Sequence, residues 1–443
     1  MKASLKFLFK PVFFIIALTA ATYVVLYVEK LRPSDLGEFE GLFLKDDEIV
    51  KRENYNLKPP AGILDEQEME YARIAWKYFE NNFDENTGLI NGKDNCPMFS
   101  FKDLTAYLMG MMSAYEIGIV DSMMVEIRIK TLMQTLEKLE LHEEKLPNQR
   151  YHSVSLQMLG LDGEPSETGI GWSAMDIGRF FAFVNKVKLD YPQHFYRLRK
   201  VIKKWKINEM IKNGAFEGMV YQSNKKVFKL TQEGRLGYEE YSGKNLFKAG
   251  FDLSEALIYT DFIKFVDVYG QKIGVDARES RTRFSHNYVS SEPYFLDGLE
   301  YGWDVNSKEL AYRVYLAQKE RYQNTEILTA TGEDYSDGPE AGYVYNTVYA
   351  DFKTWVCYDE KGKQRNDLKT LSTKTAFAWY VLYDDDYSEK LFNAVKDLND
   401  PKRGWYSGVF EKTGKTNKVI SASTNGIILE CLNYKLNGTL IQF

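Results

Sequence analysis

The sequence predicts an all-α fold: a closed ring of helical hairpins carrying small β hairpins, preceded by one N-terminal transmembrane helix. Three observations lead there. From residue 65 onward, helices that are apolar all round alternate with helices that are apolar on one stripe and charged elsewhere. A ring of hairpins needs both kinds, because its inner helices are covered on two sides and its outer ones face water. No Pro-rich or low-complexity break divides residues 65–443, which read as one domain. Finally, Pro11 to Val28 is an uncharged run of 18 residues, and no second run of that length follows. An α-solenoid would use the same two kinds of helix, but the chain shows no fixed period.

The uncharged run can cross the hydrocarbon core at about 1.5 Å per residue. Lys2, Lys6 and Lys10 precede it, which by the positive-inside rule leaves residues 1–10 as a cytoplasmic stub. Residues 11–28 are then an anchor in the inner membrane, with the domain in the periplasm or outside the cell. A cleaved signal peptide is the rival reading, but Ala17, Ala20 and Ala21 lie inside the run rather than after it. Residues 29–64, with Pro33, Pro59 and Pro60, read as a linker.

Within the domain, Glu66–Phe83 starts after Asp65 as N-cap and keeps an apolar face. Ser100–Ile119 and Ser173–Val187 are apolar and read as inner helices; Ser122–Leu139 and Gln193–Lys206 are amphipathic. Further helix patterns span Glu233–Phe247, Ser254–Val266, Glu292–Tyr301, Ser307–Tyr322, Leu371–Tyr383, Ser388–Lys396 and Ser423–Leu432. Ala215–Leu230 and Gly342–Tyr349 read as extended pieces.

Composition removes several classes of function. A formal net charge of −6 argues against nucleic acid as partner, since phosphate neutralisation needs a Lys/Arg excess. Four His without a His-x-x-x-His pair and three Cys without ligand spacing argue against a zinc hydrolase or other metal site. One disulfide at most could form among Cys96, Cys357 and Cys431. No nucleophile elbow or Walker loop occurs, and no cofactor is implied. The 31 Tyr and 7 Trp either fill a large core or line a cleft on which flat sugar rings stack.

Loop-to-helix junctions carry the polar groups. Asp103 opens an apolar helix, either as a first-turn acid favoured by the helix dipole or as a funnel residue. Asp176 and Arg179 share a helix face, behind Ser173 as N-cap and Trp172. Residues 233–241 hold three carboxylates, an Arg and two Tyr, among them Glu233, Arg235, Tyr238 and Glu239. Glu292 precedes Pro293 and Tyr294 at a helix start, and Glu333 lies in an acid-rich loop. Trp405 and Asn425 complete the set; Asn425 is equally readable as only part of a cap. Rings for stacking and carboxylates for hydroxyls suit a sugar, and glycoside hydrolysis needs two carboxyl groups about the scissile bond.

The words Gly171-Trp-Ser-Ala-Met-Asp-Ile-Gly-Arg179, Glu233-Gly-Arg-Leu-Gly-Tyr-Glu239, Ser290-Ser-Glu-Pro-Tyr294, Leu371-Ser-Thr-Lys-Thr-Ala-Phe377 and Ser423-Thr-Asn-Gly-Ile-Ile-Leu-Glu430 occur in that order. Together they resemble an uncharacterised bacterial extracytoplasmic family, a domain of unknown function often found near exopolysaccharide genes. More distantly, their order is similar to the glucoamylase-like domain of β-1,2-glucan enzymes. That resemblance implies an (α/α)6 toroid whose funnel is lined by Asp103, Asp176, Glu233, Arg235, Glu292 and Glu333. The Trp-Gly-Ile-Ser word of the glucan enzymes is replaced here by Ala330-Thr-Gly-Glu333.

The expectation is a membrane-anchored glycoside hydrolase acting on an exopolysaccharide or glucan. Its catalytic carboxyls would be Glu233 and Glu333 first, then Glu292 and Asp176. Asp103, Trp172, Arg235, Tyr238, Glu239, Tyr294, Trp405 and Asn425 would contact the sugar. The alternative is a non-catalytic glycan-binding or scaffold component that works with polysaccharide synthesis and export proteins.

Overall fold

The computed structural model describes residues 17–23, 49–222, 225–258, 262–278, 288–339 and 342–442, and among these described residues eleven helices of ten residues or more organise the fold. In chain order they are α1 (Glu66–Asn81), α2 (Phe101–Ile117), α3 (Ser122–Leu136), α4 (Ala174–Asp190), α5 (Pro192–Ile202), α6 (Tyr238–Ala249), α7 (Glu292–Tyr301), α8 (Val305–Thr325), α9 (Thr373–Leu382), α10 (Asp386–Val395) and α11 (Ala422–Asn437). Helices α2, α4, α6, α7, α9 and α11 pack each on the next, and α11 returns to α2, closing a six-membered inner ring. Helices α1, α3, α5, α8 and α10 lie outside it.

Burial explains the division. Nearly every residue of α2, α9 and α11 is buried, polar ones included. On α5 only Leu198, Val201 and Ile202 are buried, and on α10 only Tyr387, Ser388, Leu391 and Val395. A helix touched on two sides has no solvent face to mark with charge, whereas an outer helix keeps one.

Between α6 and α7 the described residues form no helix of ten residues or more. The helix expected over Ser254–Val266 is replaced by a short turn at Glu255–Leu257 and an antiparallel hairpin, β3 (Ile263–Val268) with β4 (Gln271–Asp276). It packs against α8. The segment Ile263-Lys-Phe-Val-Asp-Val268 is rich in β-branched and aromatic residues, which fit a pleated surface better than a helix turn. The other sheets are small: β1 (Ala215–Gln222) with β2 (Val227–Gln232), then β5 (Glu333–Tyr335), β6 (Tyr343–Asn346) and β7 (Cys357–Asp359), then β8 (Thr370–Ser372), β9 (Gly404–Phe410) and β10 (Thr416–Ile420).

Helix α6 starts at Tyr238, five residues later than expected from Glu233. Gly237 adopts φ +94°, outside the helical region, and a side chain there would meet the Tyr294 ring at 3.0 Å. Glu233 to Leu236 therefore form a connection that hangs over the ring instead of its first turn.

Of the predicted linker, residues 49–64 lie against the domain. Ile49 is buried, Arg52 pairs with Glu309 at 3.4 Å, and Lys58 and Ala61 bond backbone carbonyls of Leu382 and Lys435. The predicted anchor 11–28 falls mostly outside the described residues. Residues 17–23 are helical, and among the described residues no helix is long and apolar enough to cross a membrane. Cys96, Cys357 and Cys431 are free thiols.

The tightest joint in the ring is the crossing of α2 and α11. A Cβ on Gly110 would lie 2.8 Å from the Gly426 Cα, and one on Gly426 would lie 2.1 Å from the Ala106 carbonyl oxygen. Gly426→Ala must push the two helices apart, and overpacking of this kind costs about 1–3 kcal/mol. A lower urea midpoint with an unchanged slope is the expected result.

Candidate active-site cleft

The first turns of the inner helices converge at one end of the ring. Lys102 comes from α2, Asp176 and Arg179 from α4, Glu292 from α7, Lys374 from α9 and Ser423 from α11. The loop before α6 adds Glu233 and Arg235, and β5 adds Glu333. Helix N-termini carry partial positive charge, so this end of the ring favours carboxylates.

Glu292 is at the centre and has no exposed surface. Lys102 approaches one carboxylate oxygen at 3.0 Å, Lys374 the other at 2.7 Å, and Arg179 stands at 3.8 Å. Burial pushes its carboxyl up, but the three cations outweigh that and hold it below the usual carboxylate range. Lys374 also donates to the Glu333 carbonyl at 2.6 Å and to Ser423 at 3.0 Å. Glu333 is buried with both oxygens engaged, by Lys102 at 3.0 Å and by the Ser290 hydroxyl at 2.9 Å.

Glu233 and Asp176 differ. Both are partly exposed, and neither has an ion-pair partner among the described residues. Glu233 accepts the Ser173 hydroxyl and the Ala174 backbone N–H, both at 2.5 Å, so a loop carboxyl caps α4 from outside. Burial pushes Glu233 up to about 7, and the charge of Asp176 adds to the rise. Burial also lifts Asp176 to about 6, against the pull of Lys102. Arg235 donates to the carbonyls of Glu233 and Gly234 at 2.8 and 2.7 Å, and Tyr238 is half-buried with its ring 6.0 Å from the Lys102 ammonium.

The structure thus brings together Asp176, Glu233, Arg235, Tyr238, Glu292 and Glu333. Glu292, expected as a catalytic acid, has no surface for a ligand and serves as the counter-ion of the lysines. Six other expectations are corrected. Asp103 is buried and accepts the Ser100 N–H and hydroxyl at 3.0 and 2.9 Å, which makes it the cap acid of α2. Trp172 is fully buried, donating to the Glu217 carbonyl at 3.1 Å. Glu239 is fully buried, paired with Arg278 at 2.5 Å and accepting the Phe216 N–H at 3.0 Å. Tyr294 is buried beneath Gly237. Trp405 is enclosed by Tyr71 and Phe377, with ring centroids at 5.3 and 5.0 Å, and Asn425 bonds the Trp405 N–H at 2.9 Å. All six are buried.

Lys102, Lys374, Tyr343 and Tyr345 are residues that sequence reasoning missed. A signal for the lysines exists: each lies in the first turn of an apolar helix, where the dipole disfavours a cation, so each needs an acid nearby. Tyr343 and Tyr345 alternate with the buried Val344 on β6 and present their rings to the same face, 5.4 Å apart. The Tyr343 hydroxyl receives the Lys102 ammonium at 2.5 Å. Below the cleft, Arg179 stands 3.8 Å from the fully buried Glu430, and the Tyr241 hydroxyl donates to the equally buried Glu300 at 2.7 Å. Among the described residues no group of three or more His, Cys, Asp and Glu side chains is placed to hold a metal ion.

Residues 70–438 match the model of the family described as protein of unknown function (DUF3131), and the chain belongs to that family. No curated protein matches the sequence. Solved structures share the fold. An endo-β-1,2-glucanase from Chitinophaga pinensis, in complex with sophorotriose and glucose, aligns with TM-score 0.59 at 12% identity, over 85% of this chain and 94% of that one. A Talaromyces funiculosus endo-β-1,2-glucanase complexed with sophorose aligns with TM-score 0.54 at 12% identity, over 84% of each chain. A Bacteroides caccae protein provisionally named a glucoamylase gives 0.60 at 10% identity, over 84% and 94%. The fold is therefore that of the glucoamylase-like toroids.

Two predictions follow from the charges. Lys374→Met leaves Glu292 short of a buried partner, and breaking a buried pair costs about 3–5 kcal/mol; denaturant unfolding should show a loss of that size. Glu233 has a folded pKa raised to about 7 from an ordinary 4.5, so the folded state keeps a proton that the unfolded chain has lost. Stability therefore falls as pH rises from about 4.5 to about 7. In thermal melts, the stability of Glu233→Gln relative to the natural chain should grow across that window and level off above it.

Proposed function

We propose that the protein is a carboxylate-dependent glycoside hydrolase acting on an exopolysaccharide or glucan. The observation that carries this reading is the contrast among its acids. Glu292 and Glu333 are neutralised by lysines, whereas Glu233 and Asp176 are partly exposed, have no direct ion-pair partner among the described residues, and have pKa values displaced to about 7 and about 6. Between those values Asp176 is ionised while Glu233 keeps its proton, which is the split that acid–base hydrolysis requires.

In this reading Glu233 gives its proton to the glycosidic oxygen as the bond to the anomeric carbon breaks. Asp176 takes a proton from the water whose oxygen bonds to that carbon. Ser173 and the Ala174 N–H stabilise the carboxylate that Glu233 becomes, and Arg235 fixes the loop through its two carbonyl bonds. Tyr238, Tyr343 and Tyr345 offer half-buried rings for sugar faces. Glu333 stays available for sugar hydroxyls only if Lys102 shifts from it. The domain would be held outside the inner membrane by residues 11–28, a placement supported by the apolar run and its three preceding lysines.

A second reading rests on the same lysines: a cleft in which Glu292 and Glu333 are already paired can bind glycan without cleaving it, as a scaffold of a polysaccharide synthesis and export system. Incubation with bacterial exopolysaccharides and β-glucans, read as released reducing ends, separates the two. A hydrolase releases ends, loses about 100-fold or more in kcat/KM on Glu233→Gln or Asp176→Asn, and slows as pH rises through about 7. Binding without release, equal in the natural chain and both variants, would establish the scaffold instead.

A further inference from the structure

The cations around the cleft differ in how they are paired among the described residues. Lys102 has Glu292 and Glu333, Lys374 has Glu292, Arg150 has Glu360 at 2.6 Å, and Arg278 has Glu239 and Asp276. Arg235 has no carboxylate within ion-pair distance among the described residues. Its Nη1 is tied to two backbone carbonyls, and its buried Nε meets no acceptor among those residues. The nearest acid in sequence, Glu233, has both oxygens engaged by α4 and keeps its proton up to about 7. Burial, with the repulsion of Arg278, lowers the Arg235 guanidinium to about 10 against the weaker pull of Asp276, Glu233 and Glu239. A guanidinium is difficult to leave in this state, because desolvation without a partner is costly.

The geometry also says which atom is offered. With Nη1 fixed to the loop and Nε enclosed, Nη2 is the guanidinium nitrogen left to a ligand, and a carboxylate oxygen answers its charge with a charge-assisted hydrogen bond. We infer that the cleft takes an acidic glycan, and that Arg235 receives the ring carboxylate of a uronic acid unit bound beside Glu233. This rests on the glycan reading above and narrows its substrate class. Arg235 becomes the specificity-determining residue: a neutral sugar would offer hydroxyls that leave the charge uncompensated.

The test is a binding titration of the full chain in detergent with glucuronic and galacturonic acid oligosaccharides and with the same oligosaccharides after their carboxyls are reduced to primary alcohols. Reduction leaves linkage and length unchanged. The expected result is at least ten-fold tighter binding of at least one acidic series at low salt. Arg235→Gln should bring that series to the level of its reduced form measured on the same variant, whatever the loop loses with Arg235 weakening both forms alike. The comparison on the natural chain stands even if the variant does not fold. Equal affinity for acidic and reduced forms would overturn this inference and leave the glycan reading intact. Binding of neither, nor of neutral β-glucans, would remove both.

Discussion

The ring of inner helices ends in a problem of charge, and Glu292 is its solution. Six helix N-termini meet at one end, and two of them bring a lysine into a place where the dipoles already oppose it. A single fully buried carboxylate between Lys102 and Lys374, with Arg179 behind, satisfies three elements at once. Through the lysines it sets where Glu333 and Ser423 lie, and through Arg179 it connects the cleft to Glu430 and Glu300 below. Burying such a cluster is expensive unless each charge is answered. That cost ties the separate helices to one arrangement.

The same arrangement divides labour among the acids. A carboxyl enclosed by cations is held ionised and immobile, whereas one that caps a helix at the edge of a cleft, as Glu233 does, is destabilised as an anion and remains reachable. The difference arises from the loop before α6. Because Gly237 breaks the helix there, Glu233 reaches across to α4 instead of lying on the surface of its own helix.

Much of the ring was legible in the chain. The alternation of apolar and amphipathic segments is a direct record of how many sides of each helix are covered, so α2 and α4 were readable as inner. The segment 254–266 was not, because a short apolar run of Ile263, Phe265, Val266 and Val268 suits either period. At the site, Glu233, Asp176, Glu292 and Glu333 were recognisable as acids at junctions, but their roles depend on whether a cation pairs with each, and the lysines of Glu292 lie 190 (292 − 102) and 82 (374 − 292) positions from it. The tryptophans misled for a simpler reason. A large ring near a motif is as useful for filling the middle of a toroid as for holding a sugar, and Trp172, Trp379 and Trp405 are among the largest fully buried side chains.

The crossing of α2 and α11 has a meaning for the making of the protein. Asn433 reaches Ser113 across 320 positions, so the first inner helix waits for the last before its open flank is covered. Until α11 leaves the ribosome, the chain is a crescent with an apolar edge, and contacts so distant in sequence form slowly. A domain of this topology that is threaded through a membrane as it is made spends its whole passage in that unfinished state, which selects for helpers that shield an edge rather than a core.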